Sequence, residues 1–166
     1  MTPEQLIDQF NLQPHPEGGF FNQTYISKEK IEKAHLPERF PGDRPFSTAI
    51  YFLLVENNFS AFHRIKSDEI WHFYTGGGLY VHVIGPEGKY ELIKLGAQLK
   101  AGEVFQAVVP AGCWFASECA PGTAFSLVGC TVAPGFDFAD FELAGKEELS
   151  VLYPEHKTLI SRLTRQ

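Results

Sequence analysis

A histidine and a glutamate on either side of a short polar stretch are the residues of this sequence best suited to chemistry. They are His63 and Glu69, and a run rich in β-forming residues follows them. A histidine in a partly apolar pocket titrates near neutral pH, and a neighbouring carboxylate orients its ring. We therefore predict that His63 is a general base that removes a proton beside a carbonyl group, with Glu69 as its partner. A purely structural His–Glu hydrogen bond is the alternative.

Aromatic and polar side chains near this pair are candidates for the walls of a small-molecule pocket. The predicted substrate-binding residues are Trp71, Tyr51, Phe73, Gln106, Trp114 and Phe115. Strand alternation places Trp71 on the same face as Glu69. A catalytic acid could be Tyr25, Tyr51 or Tyr74, and the sequence does not choose among them. The alternative for each aromatic residue is that it fills the interior of a barrel.

The elements that must position these side chains are short strands. About nine β-rich runs lie between residues 20 and 132, separated by turns rich in glycine and proline. Thr2 and Gln5 have the spacing of a capping box for an N-terminal helix, and Glu155–Leu163 has helical periodicity. The predicted fold is an all-β antiparallel barrel with short helices at both ends, in a single domain over residues 1–166.

Two segments outside the strands carry most of the remaining charge. Residues 27–45 form a charged connection, either a flap over the mouth of a barrel or a plain surface loop. Asp137, Asp140 and Glu142 are predicted to be a solvated acidic cluster. His15, between two prolines, is predicted to be a turn residue and not a ligand.

Composition and charge exclude several classes of partner. The 14 Lys and Arg residues against 20 Asp and Glu give a net charge of −6, without a basic stripe for nucleic acid. No apolar stretch has the length of a membrane span, and the N-terminus lacks a secretory pattern. Cys113, Cys119 and Cys130 match neither a disulfide framework nor a zinc motif. We expect a cytoplasmic protein with free thiols and no nucleic-acid or membrane partner.

The spacing around His63 resembles the first motif of the cupin superfamily. That motif has two histidines, a glutamate and a glycine, and His63, Glu69 and Gly76 stand in register with it. Ile65 stands where the second histidine would be. The resemblance implies a cupin-type jelly-roll barrel.

A second stretch resembles the second cupin motif. Gly102, Pro110 and Gly112 fit it, and Phe115 occupies the position of its histidine. The sequence is most similar to a cupin subfamily without an assigned function, through residues 14–19 (PHPEGG) and the DEIWH stretch that begins at Asp68. The resemblance implies a dimer, and it extends to sugar-nucleotide epimerases that share this fold.

A cupin metal site uses three imidazoles and a carboxylate, a mixed set that first-row metals accept. Ile65 and Phe115 replace two of those ligands, so we expect no cofactor and no tight metal site. If a divalent metal did bind, its ligands would be His63, Glu69 and His72. Strand alternation, however, places His72 on the face opposite Glu69.

Two functions remain at this stage. The first is a metal-independent isomerase or epimerase acting on a sugar-like or other small polar substrate. The second is a non-catalytic sensor or carrier of a small molecule, with a weakly metal-dependent cupin enzyme as a further alternative. In each case the expected partners are a small-molecule ligand and a second copy of the chain in a homodimer.

Overall fold

Short strands dominate the computed structural model, which describes residues 1–165. The strands are β1 (Gln13–Pro14), β2 (Phe20–Ile26), β3 (Lys30–Ile31), β4 (Arg44–Pro45), β5 (Thr48–Val55), β6 (Phe59–Arg64), β7 (Asp68–Gly76), β8 (Leu79–Ile84), β9 (Tyr90–Leu95), β10 (Gln106–Val109), β11 (Trp114–Cys119), β12 (Phe125–Ala133) and β13 (Glu142–Leu143). The helices are α1 (Pro3–Phe10), α2 (Lys146–Leu152) and α3 (Lys157–Arg162).

Two antiparallel sheets pack against each other. The first has the strand order β1-β2-β5-β12-β7-β10, and the second has the order β13-β6-β11-β8-β9. Strands β3 and β4 form a separate pair. Neighbours within each sheet come from distant parts of the chain, which is the pattern of a jelly roll. The prediction of an all-β antiparallel jelly roll with terminal helices is confirmed.

The terminal helices form where the sequence predicts them. The Thr2 side chain accepts a hydrogen bond from the Gln5 backbone, and the Gln5 side chain returns one to Thr2, which completes the capping box of α1. At the other end, Ile160 and Leu163 are buried against the outer face of the second sheet, with Leu159 packed beside them. No helix within the described residues is long and apolar enough to cross a membrane.

Alternation along each strand separates two apolar layers. In β6, Phe62 points outward to the C-terminal helices, whereas His63 points inward between the sheets. In β11, Phe115 lies in the central core and its neighbour Trp114 lies in the outer layer. This alternation decides which side chains can reach a cavity inside the barrel.

The charged connection over residues 27–45 is fastened to the barrel and is not a solvated loop. Phe40 is fully buried, and the Arg44 guanidinium donates from Nε and Nη2 to the two carboxylate oxygens of Asp140, both at 2.7 Å. The prediction that Asp140 belongs to a solvated cluster is therefore wrong. This buried, bidentate ion pair ties the connection to the loop that follows β12.

Candidate functional site

A cavity of about 320 Å³ lies between the two sheets. Strands β2, β5, β6, β7 and β12 line it together with two loops, which we name the entry loop (residues 14–19) and the roof loop (residues 134–141). The lining residues are His15, Glu17, Phe21, Gln23, Thr48, Ile50, Phe52, His63, Ile65, Glu69, Trp71, Cys130, Val132, Phe136, Asp137, Phe138 and Phe141. This volume is in the range of cavities that hold small molecules.

Strand alternation delivers the floor and walls of the cavity. Glu69 and Trp71 both face inward from β7, and His63 faces inward from β6. On β12, Cys130 lies directly opposite Trp71 in the strand pairing and also faces inward. The cavity therefore brings together His63, Glu69 and Trp71, as the sequence predicts for their location; their roles stay predictions.

The entry loop folds back onto β6 because a glycine allows it. Gly18 has a φ of +113°, and a Cβ built on it would lie 2.1 Å from the carbonyl oxygen of Phe59. No other residue type fits this close approach without strain. The Ala61 N–H then donates to the Glu17 carbonyl oxygen at 2.8 Å. The turn thus places the Glu17 side chain inside the barrel, where it is only 6% exposed.

Glu17, and not Glu69, is the carboxyl group bonded to His63. The His63 Nε2 atom lies 3.0 Å from Glu17 Oε2, and the other Glu17 oxygen accepts the Ser60 hydroxyl at 2.8 Å. His63 Nδ1 lies 2.7 Å from the carbonyl oxygen of Ala61. Both ring nitrogens of His63 and both oxygens of Glu17 therefore have protein partners. The predicted His63–Glu69 pair is corrected to a His63–Glu17 pair.

One proton is shared between His63 and Glu17. Because a carbonyl oxygen only accepts, His63 Nδ1 carries a hydrogen, and a single further proton lies between Nε2 and Glu17 Oε2. Burial lowers the pKa of His63 to about 3. Burial and, next, the charge of Glu69 raise the pKa of Glu17 well above its ordinary value. At neutral pH the pair is therefore uncharged, with the proton on Glu17.

His15 is a second neutral imidazole at the cavity, and sequence reasoning assigned it only to a turn. Its Nδ1 accepts a hydrogen bond from the Glu17 backbone N–H at 3.3 Å, and burial lowers its pKa to about 4. Because Nδ1 is the acceptor, Nε2 carries the hydrogen. Among the described residues no acceptor is bonded to that Nε2–H.

Glu69 is the carboxyl group without a basic partner. It is 8% exposed, and no Lys, Arg or His of residues 1–165 lies within ion-pair distance of it. Burial raises its pKa to about 7, and the neighbouring Cys130 thiol offsets part of that increase. A carboxyl group with a pKa near 7 is present in both protonation states at physiological pH, which is the property that a general base or acid needs.

The charged side chains that line the cavity within the described residues are all acidic. Its lining holds the carboxyl groups of Glu17, Glu69 and Asp137, and within residues 1–165 it holds no lysine or arginine. The other lining side chains are mainly aromatic or aliphatic. A ligand here meets carboxyl groups, neutral imidazoles and apolar walls.

Comparison with known proteins places this arrangement in a family. The family described as "Cupin superfamily (DUF985)" matches residues 4–144. The chain belongs to this family. The uncharacterised protein YML079W of Saccharomyces cerevisiae is similar to this cupin, with 35% identity over 164 residues that cover 93% of this chain and 81% of that protein.

Solved structures with similar folds support the assignment. Protein SO0799 from Shewanella oneidensis has a TM-score of 0.89 at 39% identity, covering 99% of this cupin and 98% of that chain. A hypothetical protein from Leishmania major has a TM-score of 0.90 at 34% identity, with full coverage of both chains (100% each). Oxalate decarboxylase from Bacillus subtilis has a TM-score of 0.54 at 14% identity over 90% of this chain and 36% of its own, which shows a shared fold alone.

Several predicted substrate-binding residues of this cupin lie outside the cavity. Trp114 lies on the outer face of its sheet under the Arg64 guanidinium, because it neighbours the inward-facing Phe115. Tyr51 points to the opposite face of β5 and contacts Phe10 of α1. The prediction that Trp114 and Tyr51 are pocket walls is therefore wrong, because strand alternation turns both side chains away from the cavity.

The remaining predicted wall residues are also displaced from the cavity lining. Gln106 is exposed on β10, where its side chain bonds to His72. Phe73 packs on the central core away from the cavity. Phe115 contacts the His63 ring, with centroids 4.1 Å apart, and supports that ring from outside the lining. Of the predicted wall residues, Trp71 is the one that the structure places in the lining.

The tyrosines considered as catalytic acids do not reach the cavity. Tyr25 and Tyr74 are about half exposed, at 54% and 50%, and Tyr51 and Tyr74 contact each other on the outer face of the first sheet. A tyrosine acid is therefore ruled out. His15 Nε2–H and Trp71 Nε1–H are two N–H donors of lining residues that have no acceptor among the described residues.

The donor set of this cupin does not fit the metal site of the superfamily. Both nitrogens of His63 are bonded within the protein, and Ile65 lines the cavity where a second imidazole would stand. His72 bonds to Thr131 on the outer face. Within residues 1–165 no group of three or more His, Cys, Asp or Glu side chains is arranged to hold a metal ion. We therefore derive no chemical step through a metal.

Proposed function

We propose that this cupin binds a small polar molecule in its cavity and isomerises or epimerises it without a metal, by moving a proton beside a carbonyl group. One observation carries the proposal: Glu69 is a buried carboxyl group that faces the cavity, has a pKa of about 7 and makes no ion pair with the described residues. A base of this strength can take a proton at neutral pH and return it.

The proposal assigns the base to Glu69 and a positioning role to His63. A base needs a free atom within hydrogen-bond reach of the substrate proton. His63 Nε2 is bonded to Glu17 and His63 Nδ1 to Ala61, so neither atom is free. The His63–Glu17 pair instead holds the entry loop, and with it His15, against the cavity.

His15 supplies the second half of the proposed chemistry. Removing a proton beside a carbonyl group places negative charge on the carbonyl oxygen, and a donor aimed at that oxygen stabilises it. We assign this role to the His15 Nε2–H, which has no acceptor among the described residues. The imidazole is neutral because burial lowers its pKa to about 4. A neutral imidazole polarises the oxygen without transferring charge to the ground state.

A non-catalytic carrier is the second candidate. It is favoured because protein partners occupy both oxygens of Glu17 and both nitrogens of His63, so neither group is free to act on a ligand. Glu69 makes no ion pair among the described residues and is bonded to the Cys130 thiol. An epimerase that works from two faces needs two free acid–base groups, so this observation also favours a one-base isomerisation over a two-base epimerisation.

The decisive experiment measures exchange of carbon-bound hydrogen in deuterated water. Purified protein is incubated with small aldoses, ketoses and hydroxyketones, and the signal of the hydrogen beside the carbonyl is followed by proton NMR. We expect exchange with at least one compound, loss of that exchange in Glu69→Gln, and retention in Glu91→Gln, an exposed glutamate on β9. Binding without exchange for every compound would favour the carrier.

Two further properties are proposed from the exposed surface and from the cysteines. Tyr74 and Val108 are 50% and 49% exposed on the outer face of the first sheet, which supports a homodimer formed through that face. Light scattering that gives twice the chain mass at micromolar concentration is the expected result, and a monomer mass would contradict it. The three free thiols support the cytoplasm as the location.

A further inference from the structure

Aromatic rings surround the cavity on several sides. Five phenylalanine rings and one indole line it: Phe21, Phe52, Trp71, Phe136, Phe138 and Phe141. In the roof loop, Phe138 meets Phe136 and Phe141 at centroid distances of 5.0 and 5.8 Å, with the ring planes 81° and 77° apart. Rings set at nearly right angles present both faces and edges to whatever lies beside them.

The mouth of the cavity is aromatic and acidic as well. Phe138 is 53% exposed, and the exposed Asp137 beside it also contributes to the lining. An exposed phenylalanine at a cavity mouth leaves apolar surface in water that a bound ligand would cover. Asp137 adds negative potential at the same place, and a negative potential concentrates cations.

Charge discriminates between ligand classes in this cavity. The described lining holds no lysine or arginine, and both imidazoles are neutral. Glu17 is protonated in its pair with His63, so Glu69 and Asp137 are the lining groups that can carry negative charge. An anionic ligand would meet repulsion without any compensating cation, and burial strengthens that repulsion. A cation would find aromatic faces and one carboxyl group, Glu69, that has no basic partner in the described chain.

We propose that the ligand of this cavity is a small organic cation, a quaternary or protonated amine, which the aromatic walls surround and Glu69 balances in charge. The proposal rests on the cavity being the ligand site of the proposed function and narrows its substrate class to polar molecules that carry an amine. The cationic group contacts the rings, and its charge stabilises the ionised form of Glu69. The base is then held ready in its carboxylate form when the ligand is bound.

The test compares cations with neutral molecules of the same shape. Isothermal titration of the wild-type protein uses choline against 3,3-dimethylbutan-1-ol, and cyclohexylammonium against cyclohexanol, with 3,3-dimethylbutanoate as the anion. We expect at least one cation to bind about tenfold more tightly than its neutral counterpart, and the anion to bind most weakly. Equal affinity within both pairs, tighter binding of the anion, or no binding of any compound would overturn the proposal.

Variants locate the effect in the cavity. Glu69→Gln should remove the difference in affinity between the cation and its neutral counterpart. Phe138→Ala should weaken binding of the cation by about fivefold. Glu91→Gln, on the far sheet, should change neither. A cation preference that survives Glu69→Gln would contradict the charge-balancing role.

Failure of this proposal and failure of the proposed isomerase are distinguishable. Titration reports binding without turnover, whereas exchange in deuterated water reports proton transfer. Glu69-dependent exchange of a neutral sugar without any cation preference overturns the ligand class and leaves the isomerase standing. A cation preference without exchange of any amine-bearing carbonyl compound overturns the isomerase and leaves the ligand class standing.

Discussion

Replacing Glu69 by glutamine tests whether the pKa of this buried carboxyl group is raised in the folded protein, as its proposed role as a base requires. Its pKa of about 7 in the folded protein compares with an ordinary value of 4.5. The folded state therefore binds this proton more tightly than the unfolded chain does. The resulting stabilisation is fully present below pH 4.5 and is lost as the pH rises through 7. The difference corresponds to about 3 kcal/mol.

The expected result follows from that sign. Glutamine does not titrate, so the variant should not lose this stability on going from pH 4.5 to pH 8. The free energy of unfolding of Glu69→Gln relative to wild type should rise by about 3 kcal/mol across this range. Glu17 acts in the same direction, because burial and, next, the charge on Glu69 raise its pKa, and the substitution removes the second cause.

The assay is urea denaturation followed by tryptophan fluorescence at half-unit steps of pH. Glu91→Gln is the matched control, since Glu91 is exposed and its replacement should give a curve parallel to wild type. Parallel curves for Glu69→Gln and wild type would refute the raised pKa. They would also remove the argument that Glu69 is the base.

Three further predictions concern stability and use the same denaturation assay. His63→Ala should cost about 3 kcal/mol, because it removes a buried ring and leaves Glu17 without its partner; a loss below about 1 kcal/mol would show that the pair is unimportant to the fold. Arg44→Met should cost about 3–5 kcal/mol because it removes both hydrogen bonds to the buried Asp140 carboxylate and leaves only Lys66 Nζ, 4.0 Å away, near it. The double variant Arg44→Met/Asp140→Leu should recover most of this loss. Gly18→Ala should cost about 3 kcal/mol, because its Cβ would meet a backbone oxygen. Gly122→Ala is the control and should cost about 1 kcal/mol, because its Cβ would meet open space. Equal losses for the two variants would contradict the close-approach argument.

Strand alternation explains what the sequence could predict about the site. His63, Glu69 and Trp71 sit in one stretch of regular strand, so their shared inward direction follows from local spacing. The same rule places Trp114 outside once Phe115 is placed inside. Positions 114 and 115 therefore cannot both face the cavity, and the sequence alone excludes one of the two as a wall residue.

The partner of His63 could not be found by local spacing. Glu17 lies far away in the sequence, and it reaches His63 only because the backbone at Gly18 adopts a φ of +113° and packs onto Phe59. The two consecutive glycines after Glu17 were a signal that a sharp turn follows a charged residue. They gave no information on which strand the turn would meet.

The roof loop shows the same limit. Phe136, Phe138 and Phe141 follow β12 without a regular period, so no pattern shows that their rings converge on one cavity. Their placement depends on the ion pair between Arg44 and Asp140, which joins two segments far apart in the chain. Long-range contacts of this kind are settled by packing and not by local propensity.

The separation of the cavity into strand-borne and loop-borne parts has a consequence for protein engineering. His15 and Glu17 both belong to the entry loop. Asp137 and the three phenylalanines at 136, 138 and 141 belong to the roof loop. The strands contribute the base and a rigid frame. Grafting sequences that keep Glu17, Gly18 and Asp140 but change the other positions of these two loops would therefore exchange ligand preference while the barrel, its register and Glu69 stay in place.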